Sequence, residues 1–123
     1  PMIDEAQIVG GVAQGPGGAL YEQFRYRDTG QPLSVNFAEY LIPTASEVPD
    51  VEVLISEEAP SPLNPLGIKG AGEGGCTGAG AAIASAVDAA IGVPGAITAL
   101  PITPPRLRAI LAKSRPDAAD ARA

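Results

Sequence analysis

The segment Lys69–Ala79, KGAGEGGCTGA, places one carboxylate, that of Glu73, among five glycines. With so few side chains around it, another molecule can approach the backbone closely. The residues that follow, from Thr77 or Gly75 to about Ile91, have the apolar spacing of a helix, and a helix N-terminus favours a nearby ionised carboxylate. Glu73 is therefore a candidate general base.

Two other interpretations of this segment stay open. Glu73 is also typical of a first-turn residue that complements the helix dipole while it faces solvent. Gly70, Gly72 and Gly75 satisfy GxGxxG, the pattern of dinucleotide-binding turns, which predicts saturable binding of a dinucleotide. That pattern normally follows a buried strand, whereas the preceding residues, PSPLNPLGIK, contain three prolines that deny strand hydrogen bonds.

The two reactive side chains nearest to Glu73 are expected to have no part in chemistry. Lys69 is predicted to be solvated, with neutralisation of Glu73 or orientation of the loop as the alternative. Cys76 is predicted to be a small buried thiol, with a reactive thiol at the helix start as the alternative.

Composition excludes several classes of protein. Among 123 residues, eight basic and fourteen acidic side chains give a net charge of −6, and their scatter predicts no surface for nucleic acid or anionic membrane. No apolar run approaches the roughly 20 residues that span a bilayer, and no signal peptide pattern is present, so we expect a cytoplasmic protein. The absence of histidine, with Cys76 as the single cysteine, excludes self-sufficient Ser-His, Cys-His and histidine-metal sites.

The apolar spacing predicts an α+β fold, a small mixed domain with a β-hairpin, a further strand and two to three helices. The hairpin is expected from the alternation in Gln23–Arg27, the DTG turn and the extended pattern of Pro32–Asn36. Val51–Ile55, which is short and rich in β-branched residues, is the further predicted strand.

Three stretches have helical patterns. Pro1–Tyr21 predicts only a weak helix because of its glycines, and Pro16 predicts a kink or a break in it. The clearest helix ends at Gly92 and is apolar on most sides, which predicts burial on more than one face. Thr103 followed by two prolines predicts a short third helix, and residues 114–123 predict a disordered tail after a domain of residues 1–113.

The segment SPLNPLGIKGAGEGGCTGAGAAIASAVDAAIG resembles the C-terminal signature of one enzyme family. This is the large, molybdenum-binding subunit of the xanthine dehydrogenase, aldehyde oxidase and carbon monoxide dehydrogenase family. The resemblance extends upstream through AQIVGGVAQGPGGALYE, YRDTGQPL and AEYLIPTASEVPDVEV, in the family's order and approximate spacing. It covers nearly the whole chain to about Pro101, so the expected fold corresponds to a C-terminal piece of a molybdenum hydroxylase large subunit.

The resemblance implies roles for three residues. Glu73 matches the glutamate of the family's KGxGE motif, the active-site base that takes a proton from a hydroxyl ligand on molybdenum. Gln7 matches the glutamine of the GQxxGG segment, which lies against the pterin of the cofactor, although Ala6 stands where glycine is usual. Gly72 is also expected to contact the cofactor, a molybdenum-pterin group in its molybdopterin cytosine dinucleotide form, and no residue of this chain is expected to bind the metal.

The resemblance also implies partners and an activity. The partners are the remaining part of the large subunit, iron-sulphur and FAD subunits or domains, and a small-molecule substrate. The activity is oxidative hydroxylation of an aldehyde or a heterocycle, or a reaction of the carbon monoxide type. The alternative is a non-catalytic isolated module of the same fold that only associates with partner chains. Alone, the chain is expected to be inactive, to bind no cofactor and to self-associate.

Overall fold

The computed structural model describes residues 2–114, which fold mainly into helices and irregular loops. The helices are α1 (Met2–Pro16), α2 (Gly74–Thr77), α3 (Ala79–Ile91) and α4 (Pro104–Ser114). Helix α1 continues directly into a π-helical turn, Gly17–Tyr21.

Pro16 changes the hydrogen-bonding pattern of the first helix without interrupting it. Proline has no amide N–H, so it cannot donate the usual helical hydrogen bond to the carbonyl of Val12. In the turn that follows Pro16, the Glu22 N–H bonds to the carbonyl of Gly17 at 2.8 Å. These two residues are five apart, which is the hydrogen-bond spacing of a π-helix. The predicted break does not occur, because the helix continues from Pro16 into this wider turn, and the predicted kink stays a prediction.

Helix α1 packs against α2 and the start of α3 through glycines. A Cβ atom on Gly11 would lie 3.1 Å from the backbone nitrogen of Cys76, and one on Gly15 would overlap the side chain of Ala79. In the reverse direction, a Cβ on Gly75 would lie 2.9 Å from the backbone nitrogen of Val12. The glycines that weaken α1 by intrinsic propensity therefore permit the close tertiary contact that orders it.

The predicted end of the clearest helix is confirmed, and its predicted start is wrong. Gly92 terminates α3 in the left-handed conformation, with φ of 70°. At the other end, neither Gly75 nor Thr77 caps the helix, because both belong to the separate helix α2. Gly78 is the residue before α3 and forms no side-chain cap.

Polar side chains form hydrogen bonds with the backbone of the loop between α3 and α4. The Asp88 carboxylate accepts hydrogen bonds from the N–H groups of Gly95 and Ile97, each at 2.9 Å. The Arg106 guanidinium donates to the carbonyl of Pro101 at 2.8 Å. These bonds satisfy backbone groups that have no partner within a helix.

Helix α4 confirms the predicted third helix. It begins at Pro104, directly after Thr103, and proline is favourable there because its missing N–H would have no helical partner. Ser114, the first residue of the predicted tail, is the last residue of α4. Residues 115–123 lie outside the described residues, and the domain boundary after residue 113 stays a prediction.

The prediction of an α+β fold was wrong. Between residues 2 and 114 the chain forms no sheet and no named strand. The predicted hairpin is a tight turn with one isolated antiparallel bridge, between Tyr26 and Pro32, and Val51–Ile55 forms no bridge. A two-stranded hairpin needs an apolar face packed against a second layer, whereas Tyr26 is 60% exposed.

Hydrogen bonds nevertheless order the segment after the π-helical turn. Ser34 is buried, and its hydroxyl donates to the carbonyl of Gln23 at 2.8 Å and accepts from the N–H of Arg25 at 3.2 Å. The Tyr40 hydroxyl donates to the Glu22 carboxylate at 2.8 Å. This hydrogen bond stabilises the protonated phenol and raises the pKa of Tyr40.

The buried apolar core is small. Its members, Ala19 and Ile102, are 1% and 4% exposed, and the Ile102 N–H bonds to the Ala19 carbonyl at 2.6 Å. Large apolar side chains that are exposed include Ile3, Phe24, Val35, Phe37, Leu54, Leu63, Leu66 and Ile68.

Helix α3 exposes apolar surface that we expected to be buried. None of its residues is buried within the chain, so the predicted burial on more than one face would need other polypeptide. The stretch Gly74–Ile91 has the length and the apolar composition of a membrane-spanning helix, so the expectation that no apolar run approaches this length was wrong. Core helices of soluble proteins have the same composition, and Gly78 divides this stretch between α2 and α3.

We expect the isolated chain to self-associate, because contact between copies removes exposed apolar surface from water. Sedimentation at high micromolar concentration should reveal species larger than a monomer. Leu63 and Leu66, which are 92% and 81% exposed, allow a test, since replacement of both by serine should weaken association and leave helix content unchanged. A clean monomer of the unaltered chain under these conditions would contradict the expectation.

Candidate functional site

Residues 69–75, here called the glycine loop, include the first two residues of α2, which begins at Gly74. Glu73 is the residue immediately before that helix, with φ of −102° and ψ of 1°. Its side chain is exposed, does not cap α2 and forms no hydrogen bond with any residue in the described range. Because α2 has only four residues, its dipole is small, which weakens the interpretation of Glu73 as a mere helix-stabilising charge.

Gln7 reaches the glycine loop from α1. Its side-chain nitrogen Nε2 donates a hydrogen bond to the carbonyl oxygen of Gly72 at 3.1 Å, across 65 positions of sequence. Both residues are exposed. The structure therefore brings Gln7 next to Gly72, whose neighbour in sequence is Glu73.

The glycine loop has a packed side and an open side. At Gly75 an added Cβ would collide with the backbone of α1, at the carbonyl of Ile8. At Gly70, Gly72 and Gly74 an added Cβ would have no atom within 4 Å. Contacts within the chain therefore explain why residue 75 is glycine. They do not explain the other three glycines, which are free to face another molecule.

The segment before the glycine loop is an ordered turn closed by Asn64. The Asn64 side chain donates to the carbonyl of Ile68 at 2.9 Å and accepts from the N–H of the same residue at 3.0 Å. Gly67, with φ of 66°, provides the left-handed position of this turn. Sequence reasoning treated the segment only as a proline-rich loop, although asparagine and glycine near prolines are the turn signals that would have located it.

The backbone carbonyl of Glu73 is held by α2. It accepts hydrogen bonds from the Thr77 hydroxyl at 2.8 Å and from the N–H groups of Cys76 and Thr77 at 3.1 and 3.2 Å. We had considered Thr77 only as a helix cap. A threonine four residues after the carbonyl is the spacing at which such a bond forms, and this signal was missed.

Lys69 and Cys76 take no visible part in the site chemistry. Lys69 is exposed and forms no hydrogen bond or ion pair with Glu73, in line with the prediction of a solvated lysine. The Cys76 thiol is half-buried and donates to the Glu73 carbonyl at 3.3 Å. Between residues 2 and 114, no group of His, Cys, Asp and Glu side chains is arranged to hold a metal ion.

The dinucleotide-binding interpretation is not supported by the fold. In a dinucleotide-binding turn, the first glycine directly follows a buried strand and the motif opens a long helix. Here the turn closed by Asn64 precedes Gly70, no strand is formed in the described part of the chain, and α2 is only four residues long. The GxGxxG match therefore does not indicate a dinucleotide-binding turn in this fold.

Comparison with a family model identifies part of the chain. Residues 1–49 match the molybdopterin cofactor-binding domain. The matched region includes Gln7 and all of α1, whereas the glycine loop lies beyond it.

Curated relatives match most of the chain. It is 49% identical to subunit gamma of the 6-hydroxypseudooxynicotine dehydrogenase complex of Paenarthrobacter nicotinovorans, covering 87% of this chain and 14% of that protein. It is 39% identical to the nicotine 6-hydroxylase large subunit of the same organism, covering 87% and 13%. It is 38% identical to the carbon monoxide dehydrogenase large chain of Afipia carboxidovorans, covering 59% and 9%.

Solved structures share the fold. Quinoline 2-oxidoreductase from Pseudomonas putida 86 superimposes with a TM-score of 0.80 at 42% identity, over 90% of this chain and 14% of that chain. The Cu,Mo-CO dehydrogenase superimposes with a TM-score of 0.79 at 31% identity, over 93% and 14%. The chain thus spans a small part of each relative. Over that part, its sequence and fold correspond to the molybdenum-binding large subunits of the xanthine dehydrogenase, aldehyde oxidase and carbon monoxide dehydrogenase family.

Proposed function

We propose that this chain forms part of the active site of a molybdenum-dependent hydroxylase, with Glu73 as the base and with Gln7 and Gly72 as contacts to the pterin cofactor. The observation that carries the proposal is the hydrogen bond from Gln7 to Gly72. It joins α1, within the region matched to a cofactor-binding domain, to the loop that presents Glu73.

The surroundings of Glu73 suit a proton acceptor. In the proposed reaction, a carboxylate oxygen of Glu73 accepts the proton that water loses as its oxygen bonds to the substrate carbon, while the C–H bond at that carbon breaks and its hydrogen and electron pair pass to an electron acceptor. Both carboxylate oxygens are available, because the side chain is exposed and has no hydrogen-bonding partner within residues 2–114. A bound molybdenum-pterin group would supply the electron acceptor.

The glycine loop fits an organic cofactor. The open side at Gly70, Gly72 and Gly74 has no protein atom within 4 Å of an added Cβ, so a cofactor could lie against the backbone. The described side chains do not form a metal-binding cluster, so a metal at this loop would need ligands from the cofactor. We infer that the cofactor is molybdopterin cytosine dinucleotide and that Gln7 and Gly72 contact its pterin.

The substrate class proposed here is a nitrogen heterocycle. Two relatives at 39% and 42% identity are named for nicotine and quinoline, both of which contain such a ring, whereas relatives named for aldehydes or carbon monoxide are 30% to 38% identical. The enzyme that contains this chain should therefore oxidise quinoline or nicotine in preference to benzaldehyde or carbon monoxide. A preference for benzaldehyde would contradict this substrate class and leave the role of Glu73 untouched.

The proposed partners are the remaining polypeptide of the large subunit, together with iron-sulphur and FAD subunits, in a cytoplasmic enzyme. Support comes from the relative that is named as one subunit of a complex and from the exposed apolar surface of α3, which needs cover. A partner chain that buries α3 would explain its hydropathy without a membrane.

The alternative is a non-catalytic module that only associates with partner chains. A surface cavity of about 410 Å³ lies beside α4, and the residues that line it include Thr98, Arg106 and Lys113 but not Glu73. A site at the glycine loop must then be enclosed by other polypeptide.

We expect the isolated chain to carry no stoichiometric molybdenum or pterin and to have no hydroxylase activity, because its glycine loop is exposed and only one side of a site is present. Metal analysis, pterin determination and an activity assay on the purified chain check this expectation. Stoichiometric cofactor with turnover would refute it. The catalytic role of Glu73 and the non-catalytic module both predict an inactive isolated chain. Substitution of Glu73 in the enzyme separates these two hypotheses, as discussed below.

A further inference from the structure

The side chains of Gln7, Thr77 and Cys76 donate hydrogen bonds to the two peptide groups that flank the Cα atom of Glu73. Gln7 donates to the carbonyl of Gly72 at 3.1 Å, and this carbonyl belongs to the peptide group before Glu73. The Thr77 hydroxyl donates to the carbonyl of Glu73 at 2.8 Å, which is the shortest of the bonds to this oxygen, the others coming from the Cys76 thiol and the N–H groups of Cys76 and Thr77 at 3.1 to 3.3 Å. This carbonyl belongs to the peptide group after Glu73. Because peptide groups are planar, their orientations determine φ and ψ of Glu73 and therefore the direction of its Cα–Cβ bond.

Glu73 needs this restraint because of its neighbours. It follows Gly72, which is in open space and has the wide conformational freedom of glycine, and it precedes Gly74, the first residue of α2. The Glu73 carboxylate has no hydrogen bond of its own in the described structure that could fix its direction. The direction of the side chain therefore depends on the hydrogen bonds to the flanking carbonyls and on the bond from the Gly74 N–H to the carbonyl of Ala71 at 3.1 Å.

We propose that Thr77 is a positioning residue for Glu73 and that it acts together with Gln7. The proposal rests on the proposed function of Glu73 as the base. A base must lie within hydrogen-bonding distance of the proton that it accepts, so a small change in the direction of its side chain lowers the rate without loss of the group. Thr77 itself touches neither substrate nor cofactor in this proposal.

A structural role alone would be the ordinary explanation of this hydrogen bond. Serine and threonine often bond to the carbonyl four residues earlier in a helix. Ser114 forms the same kind of bond, to the carbonyl of Ile110 at 2.9 Å, in α4. Ser114 is therefore a matched control, since it has the same interaction without Glu73 as its partner.

The test uses three variants of the cofactor-loaded enzyme that contains this chain. Thr77→Val removes the hydroxyl and keeps the shape, and it should lower kcat by roughly tenfold to a hundredfold with KM changed less than about twofold. Thr77→Ser keeps the hydroxyl and should restore kcat to near the unaltered value. Ser114→Ala should leave kcat unchanged. Molybdenum content should be the same in all three variants.

A double-mutant cycle with Glu73→Gln decides whether Thr77 acts through Glu73. In the Glu73→Gln enzyme, Thr77→Val should cost less than about twofold in kcat, because contacts that act through one group are not additive. An equal loss in both backgrounds, no loss in either, or a loss explained by missing cofactor would overturn the proposal. Full turnover of Glu73→Gln would overturn the proposed function as well, whereas a defective Glu73→Gln enzyme with a normal Thr77→Val enzyme overturns only the role of Thr77.

Discussion

Glu73→Gln should lower the turnover of the cofactor-loaded enzyme that contains this chain by roughly a hundredfold to ten-thousandfold, because a positioned base is lost. Glutamine keeps the shape and much of the hydrogen-bonding capacity of glutamate, but its amide does not accept a proton at neutral pH. The cofactor content and melting temperature should remain those of the unaltered enzyme. The check is to measure kcat, molybdenum per protein and melting temperature on the same preparations.

The structure gives a reason for this separation of function from stability. The Glu73 side chain is exposed, caps no helix and has no hydrogen bond within residues 2–114, so the fold gains little from it. A charge beside a helix N-terminus contributes about 0.3–1 kcal/mol at most, and α2 is a single four-residue turn. The stability effect should therefore lie at or below the lower end of that range.

A matched control is Glu58→Gln, which alters another exposed carboxylate that lies outside the glycine loop. This variant should keep full turnover. Retained turnover in Glu73→Gln with full cofactor loading would remove the catalytic assignment and favour the non-catalytic module. Loss of turnover together with loss of molybdenum would instead assign Glu73 to cofactor binding.

The composition of the candidate site could be predicted from sequence, and its assembly could not. Glu73 stands out because glycines surround it, and Gln7 was found only through a resemblance to a family. Their proximity depends on α1 packing against α2 through Gly11 and Gly75. Many glycines occur in both segments, and their spacing does not say which of them face a neighbouring helix and which face solvent.

Local sequence signals predicted the ends of helices better than they predicted the overall fold. Gly92 and Pro104 act through the backbone conformation of one or two residues, so their effects follow from sequence alone. The alternation of apolar and polar residues around Tyr26 predicted a strand, because such alternation is typical of a strand with one buried face. A strand also needs a paired neighbour and an apolar layer above it, and the described residues supply only the isolated bridge from Tyr26 to Pro32.

Gly75→Ala should lower the free energy of unfolding by about 1–3 kcal/mol, the range for overpacking a close contact. The added methyl group would lie 2.9 Å from the backbone nitrogen of Val12 and closer still to the carbonyl of Ile8. Both are backbone atoms of α1 and cannot rotate away, so α2 must move from α1. Denaturant unfolding followed by circular dichroism of the chain measures the loss.

Gly74→Ala is the matched control, one residue earlier in the same helix and in open space. It should be neutral or slightly stabilising, since helical glycine costs about 1 kcal/mol relative to alanine. Displacement of α2 by Gly75→Ala also lengthens the hydrogen bond from Gln7 to Gly72, so in the enzyme turnover should fall together with stability. Glu73→Gln should lower turnover alone. Equal stability of the two glycine variants would mean that α1 and α2 do not pack through Gly75, and the contact that brings Gln7 to the glycine loop would lose its support.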